Sequence, residues 1–457
     1  MAGADVRRFS RDQRGLALNF FLGIAGAALL ALADTLVQAT LILPVFVARL
    51  TDSNTLVGMV PALGIGVWGL VRLPAATITQ GRRRQLPWAT TAALVRMAAM
   101  GLLAYVALDV GTGDDPRLLR AFFICYGAYA VAGGFAAVPA VAVIAKTISD
   151  DGRVQFFRQR TVWSAVLAIV AGVVAARLLG DAGPGLPRGF ALLFLASTVC
   201  LAAASFLIAS MREPWRGSPA RQPTVGETLR VLPAAAADPN YRRFVGFRLL
   251  LALAAAADPF YVVYAVREVG VSAGVIGVYV VVLVAARTVG RAARGPLADR
   301  QGDRGVLQVA ALLRLVVPLI SLLVPYALDA EVAASRFDDQ RLAAILFGVV
   351  VAALGLAIGV QERANFAYLL DIAPGARRLG YAGLTNALLG VAAFASLLAG
   401  AGVDRQGFRA LFLAAAAVGL VAVFASGALT DTNVRARPTA AAWRLRRAGG
   451  QAPDPRR

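Results

Sequence analysis

The sequence predicts an all-α membrane protein in which twelve transmembrane helices form two pseudo-symmetric six-helix bundles. Three observations carry that expectation. Hydrophobic residues make up 59% of the 457 and charged residues 16%, against about 45–50% and about 25% in soluble domains. The apolar residues gather in runs near the roughly 20 that a membrane-crossing helix needs. Most of the basic residues lie between those runs, concentrated in alternate connections. Disorder requires low hydrophobicity, and collagen-like or disulfide-rich chains require a repeat or cysteines that this chain lacks.

The elements follow in order. The first run, Leu16 to Val47, comes after Arg7, Arg8, Arg11 and Arg14 and contains Ala31-Leu32-Ala33. It imitates a signal peptide, but it continues well past a usual signal core and reads as an uncut first span. The next five spans are Thr55 to Thr77, Ala89 to Leu108, Leu118 to Ile144, Val162 to Leu179 and Phe190 to Met211. The second set is Phe244 to Val266, Val275 to Arg294, Leu307 to Leu328, Leu342 to Leu370, Tyr381 to Val403 and Phe408 to Leu429. The expected organisation is an N-terminal bundle over 1–211, a cytoplasmic linker over 212–243, a C-terminal bundle over 244–430 and a basic cytoplasmic tail over 431–457. In the linker, Thr224-Val225-Gly226-Glu227 reads as a capping box for one short surface helix. The tail carries Trp443 among arginines, a composition suited to anionic lipid.

Orientation follows from the arginines, which are retained on the cytoplasmic side of short loops. Placing both termini inside puts Arg82 to Arg84, Lys146 to Arg160, the linker, Arg291 to Arg304, Arg377 and Arg378 on one side, a bias of about three to one. The net charge of +20 thus reflects membrane topology, not nucleic-acid binding. The two halves also look like repeats: Asp34 and Asp258 lie at comparable depth in the first and seventh spans, 224 residues apart.

There is no histidine, so histidine general acid/base catalysis, histidine zinc sites and Ser-His-Asp triads are excluded. Cys125 and Cys200 lie in apolar runs without CxxC spacing. The acid pairs Asp114-Asp115, Asp150-Asp151 and Asp338-Asp339 fall in loops on different faces, so a membrane-embedded enzyme is not expected, and neither cofactor nor metal is implied.

The string Gly295-Pro-Leu-Ala-Asp299-Arg300-Gln-Gly302-Asp-Arg304 stands at a cytoplasmic helix end. It resembles the signature loop of the major facilitator superfamily, Gly-x-x-x-Asp-Arg-x-Gly-Arg-Arg, and the plan of six helices, linker and six helices is similar over nearly the whole chain. Arg153, Phe156-Phe157 and Arg160 before span five, and Ala373-Pro374 through Asn386, resemble bacterial members. The resemblance implies a cytoplasmic gate in which Asp299, Arg300 and Arg304 latch the bundles, with Asp299 facing Arg158 and Arg160 by pseudo-symmetry. In the first half, Thr79 and Ala75 stand where the matching Asp and first Gly belong. The Gly- and Pro-rich pattern of the superfamily's drug antiporters is absent from Val162 to Leu179.

Charges inside spans are costly and mark candidate sites. They are Asp34, Arg72, Arg96, Arg248, Asp258, Arg287, Arg314, Glu362 and Arg363. Arg72 and Arg287 lie near helix ends, where they can snorkel. Asp34 and Gln38 share one helix face. Asp258 precedes Pro259, which can kink its helix, and Tyr261 follows at i+3. Glu362 lies near Gln361 and Asn365, divided between a site and a structural pair. A buried carboxylate beside an arginine such as Arg248 or Arg96 can take up and release a proton, or it can lock helices together as a static pair. Gly127, Ala130 and Gly134, and Gly355 with Gly359, have helix-packing spacing.

The resulting expectation is a secondary transporter in the cytoplasmic membrane. It would move a small amphipathic or hydrophobic solute by alternating access, with a proton as coupling partner and export favoured over uptake. Its partners would be that solute, the proton and membrane lipid, with no nucleic acid. The alternative is a protein of the same fold that senses or assembles without transporting.

Overall fold

The computed structural model describes residues 2–109, 116–180, 183–184, 188–214, 221–328 and 339–430, apart from the side chains of 2–16, Asp150, Asp339 and Arg363. Asp114-Asp115, Asp338 and the tail around Trp443 lie outside the described residues. The described chain is helical: α1 (Ala2–Leu36), α2 (Ile42–Leu50), α3 (Asn54–Pro61), a π turn (Ala62–Val67), α4 (Trp68–Thr79), α5 (Leu86–Asp109), α6 (Pro116–Thr147), α7 (Asp150–Leu179) and α8 (Arg188–Ala209) form the first half. The second half contains α9 (Val225–Ala237), α10 (Pro239–Ala254), a 3-10 turn (Ala255–Ala257), α11 (Asp258–Arg267), α12 (Val275–Leu328), α13 (Asp339–Ile372), α14 (Arg378–Ala392) and α15 (Ala395–Gly427).

Three expected boundaries change. The run Leu16 to Val47 is two helices, because Pro44 has no N–H and its ring would strike the carbonyl four residues earlier. The chain turns between α1 and α2, and the Leu43 N–H reaches the Gln38 carbonyl at 3.1 Å. The seventh span starts at Pro239 rather than Phe244, because the Asp238 carboxylate accepts the N–H groups of Asn240 and Tyr241 and proline fits the first helical position. The loop expected at 295–306 is helical on both sides of Gly302. At 54 residues and 1.5 Å per residue, α12 would be roughly 80 Å long if straight, far beyond the roughly 30 Å of a bilayer core. Gly302 interrupts it with φ 73° and ψ 172°, a conformation costly to any residue with a Cβ, and Arg294 bonds Asp303 across that turn at 2.9 Å. Gly407 interrupts α15 in the same way, with φ 79°.

The linker capping box forms as the sequence predicts, with Thr224 and Glu227 each accepting the other's backbone N–H, and α9 follows. Helix α9 packs on α14 and reaches α4, where the Val225 N–H donates to Thr77. Between the two halves, α7 packs on α12, α3 on α15, and α2 on α11. Among the described residues, ten helical stretches are long and apolar enough to cross a membrane. Large apolar side chains such as Ile124 (72% exposed), Phe206 (72%) and Leu398 (76%) point outward, an arrangement that water penalises and lipid does not. The protein is a multi-pass membrane protein.

The core is distributed unevenly along the helix axes. One apolar cluster runs through both halves of the chain, from Phe46, Phe122 and Phe194 to Tyr264, Phe347 and Phe412. Towards the ends that carry Arg82 to Arg84, Lys146 to Arg160 and Arg291 to Arg304, here named the basic face, the core divides. One cluster there belongs to the second half and the linker helix, around Tyr241, Phe244 and Tyr368. Small separate clusters belong to the first half.

Candidate solute-binding site

The divided core leaves a cavity of about 540 Å³ between α1, α7, α12 and α13, within the 300–1,000 Å³ usual for small ligands. Its wall includes Ala31, Asp34 and Thr35 from α1, Gln38 from the turn after it rather than from the same helix face as Asp34, Arg160, Thr161, Ser164, Ala165 and Ala168 from α7, Leu283, Val284, Arg287 and Arg291 from α12, and Glu362 from α13. A second space of about 380 Å³ shares Ala31, Asp34, Arg160 and Ser164 and extends past Arg96 and Trp68.

The cavity is a wedge because α7 and α12 touch at one end only. A Cβ on Gly277 would lie 2.0 Å from the Ala176 nitrogen, and one on Gly274 would lie 2.6 Å from the Gly180 Cα, so the backbones are in contact there. Further along, Arg160 and Arg291 stand apart across the open space. Other contacts seal the same end. Ser396 donates to the Gly58 carbonyl at 2.7 Å. The Asp404 carboxylate accepts from the N–H groups of Asn54 and Thr55 at 2.8 and 3.0 Å, capping α3 from across the molecule. Arg267 donates to the carbonyls of Ala48 and Thr51, which end α2.

Two Asp–Arg pairs occupy corresponding places in the halves. Asp34 accepts from Arg96 and from the Tyr129 hydroxyl, and Arg96 also reaches that hydroxyl at 2.6 Å with its guanidinium 4.4 Å from the tyrosine ring centre. The Asp34 side chain is 52% exposed, into the cavity. Asp258 takes its bond from Arg314 at 2.8 Å, and both side chains are buried, at 14% and 3%. The arginine that meets Asp258 is therefore Arg314, not Arg248 or Arg96: Arg248 lies ten residues earlier along nearly the same axis, too far for a side chain to bridge. A 3-10 turn stands immediately before Asp258-Pro259, where the proline predicts a kink. Tyr261 is a core residue stacked on Phe412 at 5.0 Å and does not line the cavity.

Glu362 accepts from Arg287 and Arg291, each through Nε at 2.6 Å. Arg287 therefore does not snorkel; it is held one turn from Arg291 against the same carboxylate. Gly355 and Gly359 permit this by bringing α13 against α12, since a Cβ on Gly359 would lie 2.2 Å from the Arg287 carbonyl. Gly134 lets α6 approach Trp68 in the same manner, whereas Gly127 faces open space. Arg248 lines a separate cavity of about 230 Å³ with Gln361 and Ser396, and its Nε is buried without a partner. Asn365 is buried with its side-chain oxygen unpaired. Only the backbone of Arg363 is described.

The gate residues are not brought together. Asp299, Arg300 and Arg158 are exposed, and Gly295 has nothing within reach. Arg304 donates to the Gly427 carbonyl at 2.6 Å, and Arg160 lines the cavity. In the first half, Thr79 is buried with its hydroxyl on the Ala75 carbonyl, and nearby Glu213 accepts the N–H groups of Gln85 and Leu86 at the start of α5 and pairs with Lys146 at 2.7 Å. Among the described residues no group of acids and cysteines could hold a metal ion. Sequence reasoning had Arg314 and Arg287 among the buried charges but not in the site, and missed Tyr129 and Ser164. The one available signal was spacing, Asp to Arg 62 residues apart in the first half and 56 in the second.

No protein-family model matches the chain, and no curated protein matches its sequence. Solved structures do match. A variant of the nucleoside transporter NupG superimposes with a TM-score of 0.66 at 14% identity, covering 91% of this chain and 99% of that one. The chain thus shares the helical fold of solved membrane transporters. A bacterial homologue of the iron transporter ferroportin matches in its inward-facing state with a TM-score of 0.63 at 14% identity, over 90% of this chain and 98% of that one. In its outward-facing state the score is 0.54 at 16% identity, over 90% and 99%. At these identities the likeness concerns the fold alone.

Proposed function

We propose that this protein is a secondary transporter of twelve crossings in two six-helix bundles, moving a small amphipathic solute across the cell membrane by alternating access. The observation that carries the reading is the wedge: a solute-sized cavity between the halves, closed by backbone contact at one end and widening toward the basic face. The breaks at Gly302 and Gly407 support the count, since each allows one long helical stretch to cross twice. Retention of arginine on the cytoplasmic side assigns the basic face and both termini to the cytoplasm, so the described state is the inward-open one. The higher likeness to an inward-facing neighbour supports this, as does the separation of Asp299 from Arg158 and Arg160, which would meet only when that face closes. Export is the favoured direction, with the solute loading from the cytoplasm.

Asp34 is the group placed to couple a proton. It faces the cavity, and protonating it would weaken its hold on Arg96 and Tyr129, altering how α1 is tied to α5 and α6. Melting of the purified protein in detergent, against a broad solute panel at about pH 6 and about pH 8, tests the reading, because ligands that bind the folded state raise its stability by mass action. A solute that stabilises the wild type in a pH-dependent way and fails to stabilise Asp34→Asn is the expected result. Flux of that solute into proteoliposomes completes the test. Ligand shifts equal in wild type and Asp34→Asn, with no flux, would remove the proposal.

A further inference from the structure

We infer that the solute carries an oxyanion, a carboxylate or a phosphate, held between Arg160 of α7 and the Arg287–Arg291 pair of α12. The inference rests on the transporter reading and narrows its substrate class. Among the described residues the cavity presents three guanidiniums, Arg160, Arg287 and Arg291, and two carboxylates, Asp34 and Glu362. Those carboxylates are already committed. Asp34 is neutralised by Arg96 behind it, and Glu362 serves two arginines at once. Arg160 has no bonded partner among the described residues, and one positive charge of the Arg287–Arg291–Glu362 triad is uncompensated.

Charge of one sign inside a membrane protein is expensive and calls for a counter-charge. Here the excess lies on both sides of a solute-sized space, and guanidinium forks match the planar geometry of carboxylate and the oxygens of phosphate. The arrangement also connects binding to movement. Arg160 belongs to the first half and Arg287 and Arg291 to the second, so when the cavity is empty like charges oppose closure of the basic face. An oxyanion bonded to both sides turns that repulsion into a bridge and draws α7 toward α12. The apolar wall from Ala165, Ala168 and Leu283 leaves room for a non-polar body behind the anionic head. The Asp34 oxygen not engaged by Arg96 or Tyr129 remains exposed to the same space.

The test uses Ser164→Cys, a cavity position, in a full-length protein with Cys125 and Cys200 replaced by Ala. Modification rates are measured with an anionic and a cationic methanethiosulfonate, each corrected for its rate with a free thiol. The anionic reagent is expected to react at least ~10-fold faster, as a site of positive potential focuses anions. Succinate or inorganic phosphate, tested separately to distinguish carboxylate from phosphate, should protect the cysteine, and glucose or tetraphenylphosphonium should not. Arg160→Ala should abolish both the preference and the protection, Arg160→Lys should retain the preference with weaker protection, and Arg230→Ala, at an exposed position on α9, should change neither. Faster modification by the cationic reagent, or protection by neither oxyanion, overturns the inference. Counterflow in proteoliposomes separates the two claims. If a neutral or cationic solute is transported while oxyanions neither protect nor compete, transport stands and the anion assignment falls. If oxyanions protect but nothing is transported, the site stands and the transporter reading falls.

Discussion

The pairs Asp34–Arg96 and Asp258–Arg314 are the same device in two halves of one chain, put to different uses. The first joins α1 to α5 and the second α11 to α12, at separations of 62 and 56 residues. The first is open to the cavity on its carboxylate side and is backed by a tyrosine. The second is closed on all sides, with one Asp258 oxygen left unpaired. A buried pair resists loss of one partner, because the survivor is an uncompensated charge in a medium that cannot solvate it. A half-exposed carboxylate can be hydrated or protonated, and can exchange partners. One pair is thus closed and the other half-open, and burial rather than residue type distinguishes them.

The largest expected effect breaks the closed pair. Arg314→Ala should lower stability by about 3–5 kcal/mol by stranding Asp258, read as a large fall in melting temperature in detergent. Next, Arg96→Ala should cost less, roughly 1–2 kcal/mol, because Asp34 can draw on water in the cavity, yet it should abolish flux and ligand-induced stabilisation. The contrast sharpens when both charges of a pair are removed together. Asp258→Leu with Arg314→Met should restore stability to within about 1 kcal/mol of wild type and retain flux, whereas Asp34→Leu with Arg96→Met should fold and transport nothing. The smallest effect belongs to Tyr129→Phe, which deletes one hydroxyl and should cost about 0.5–1.5 kcal/mol while changing the pH dependence of flux. Equal behaviour of the two halves through this series would dissolve the comparison.

Much of the architecture was legible because it follows from local chemistry. Apolar runs marked the spans, and Thr224 and Glu227 marked α9 through a cap that needs only four residues. Asp34 and Asp258 stood out because acids are costly in lipid. Their partners were not legible, since spacing along one helix says nothing of which arginine on another will face it. That is why Arg314 went unselected beside Arg248, which instead occupies a cavity of its own. The gate motif showed the opposite limit. Its residues were identifiable, but their partners were not: Asp299 is exposed and meets neither Arg158 nor Arg160, and the contacts that hold this arrangement, such as Gly277 on Ala176, are encoded by no single sequence stretch. Glu213 at the start of the linker caps α5 from 128 residues away along the chain, a contact that no local pattern announces.

Alternating access is the central claim, and paired distance measurements test it without knowing the solute. Spin labels at exposed positions 158 and 299 report the basic face, and labels at 52 and 405 report the opposite face. The account predicts two populations for each pair, long on one face when short on the other. Gly277→Leu, which cannot fit against Ala176, should shift both pairs toward a closed basic face and an open opposite one. A single unchanging distance on both faces, across solutes, pH and the Gly277 substitution, would contradict it.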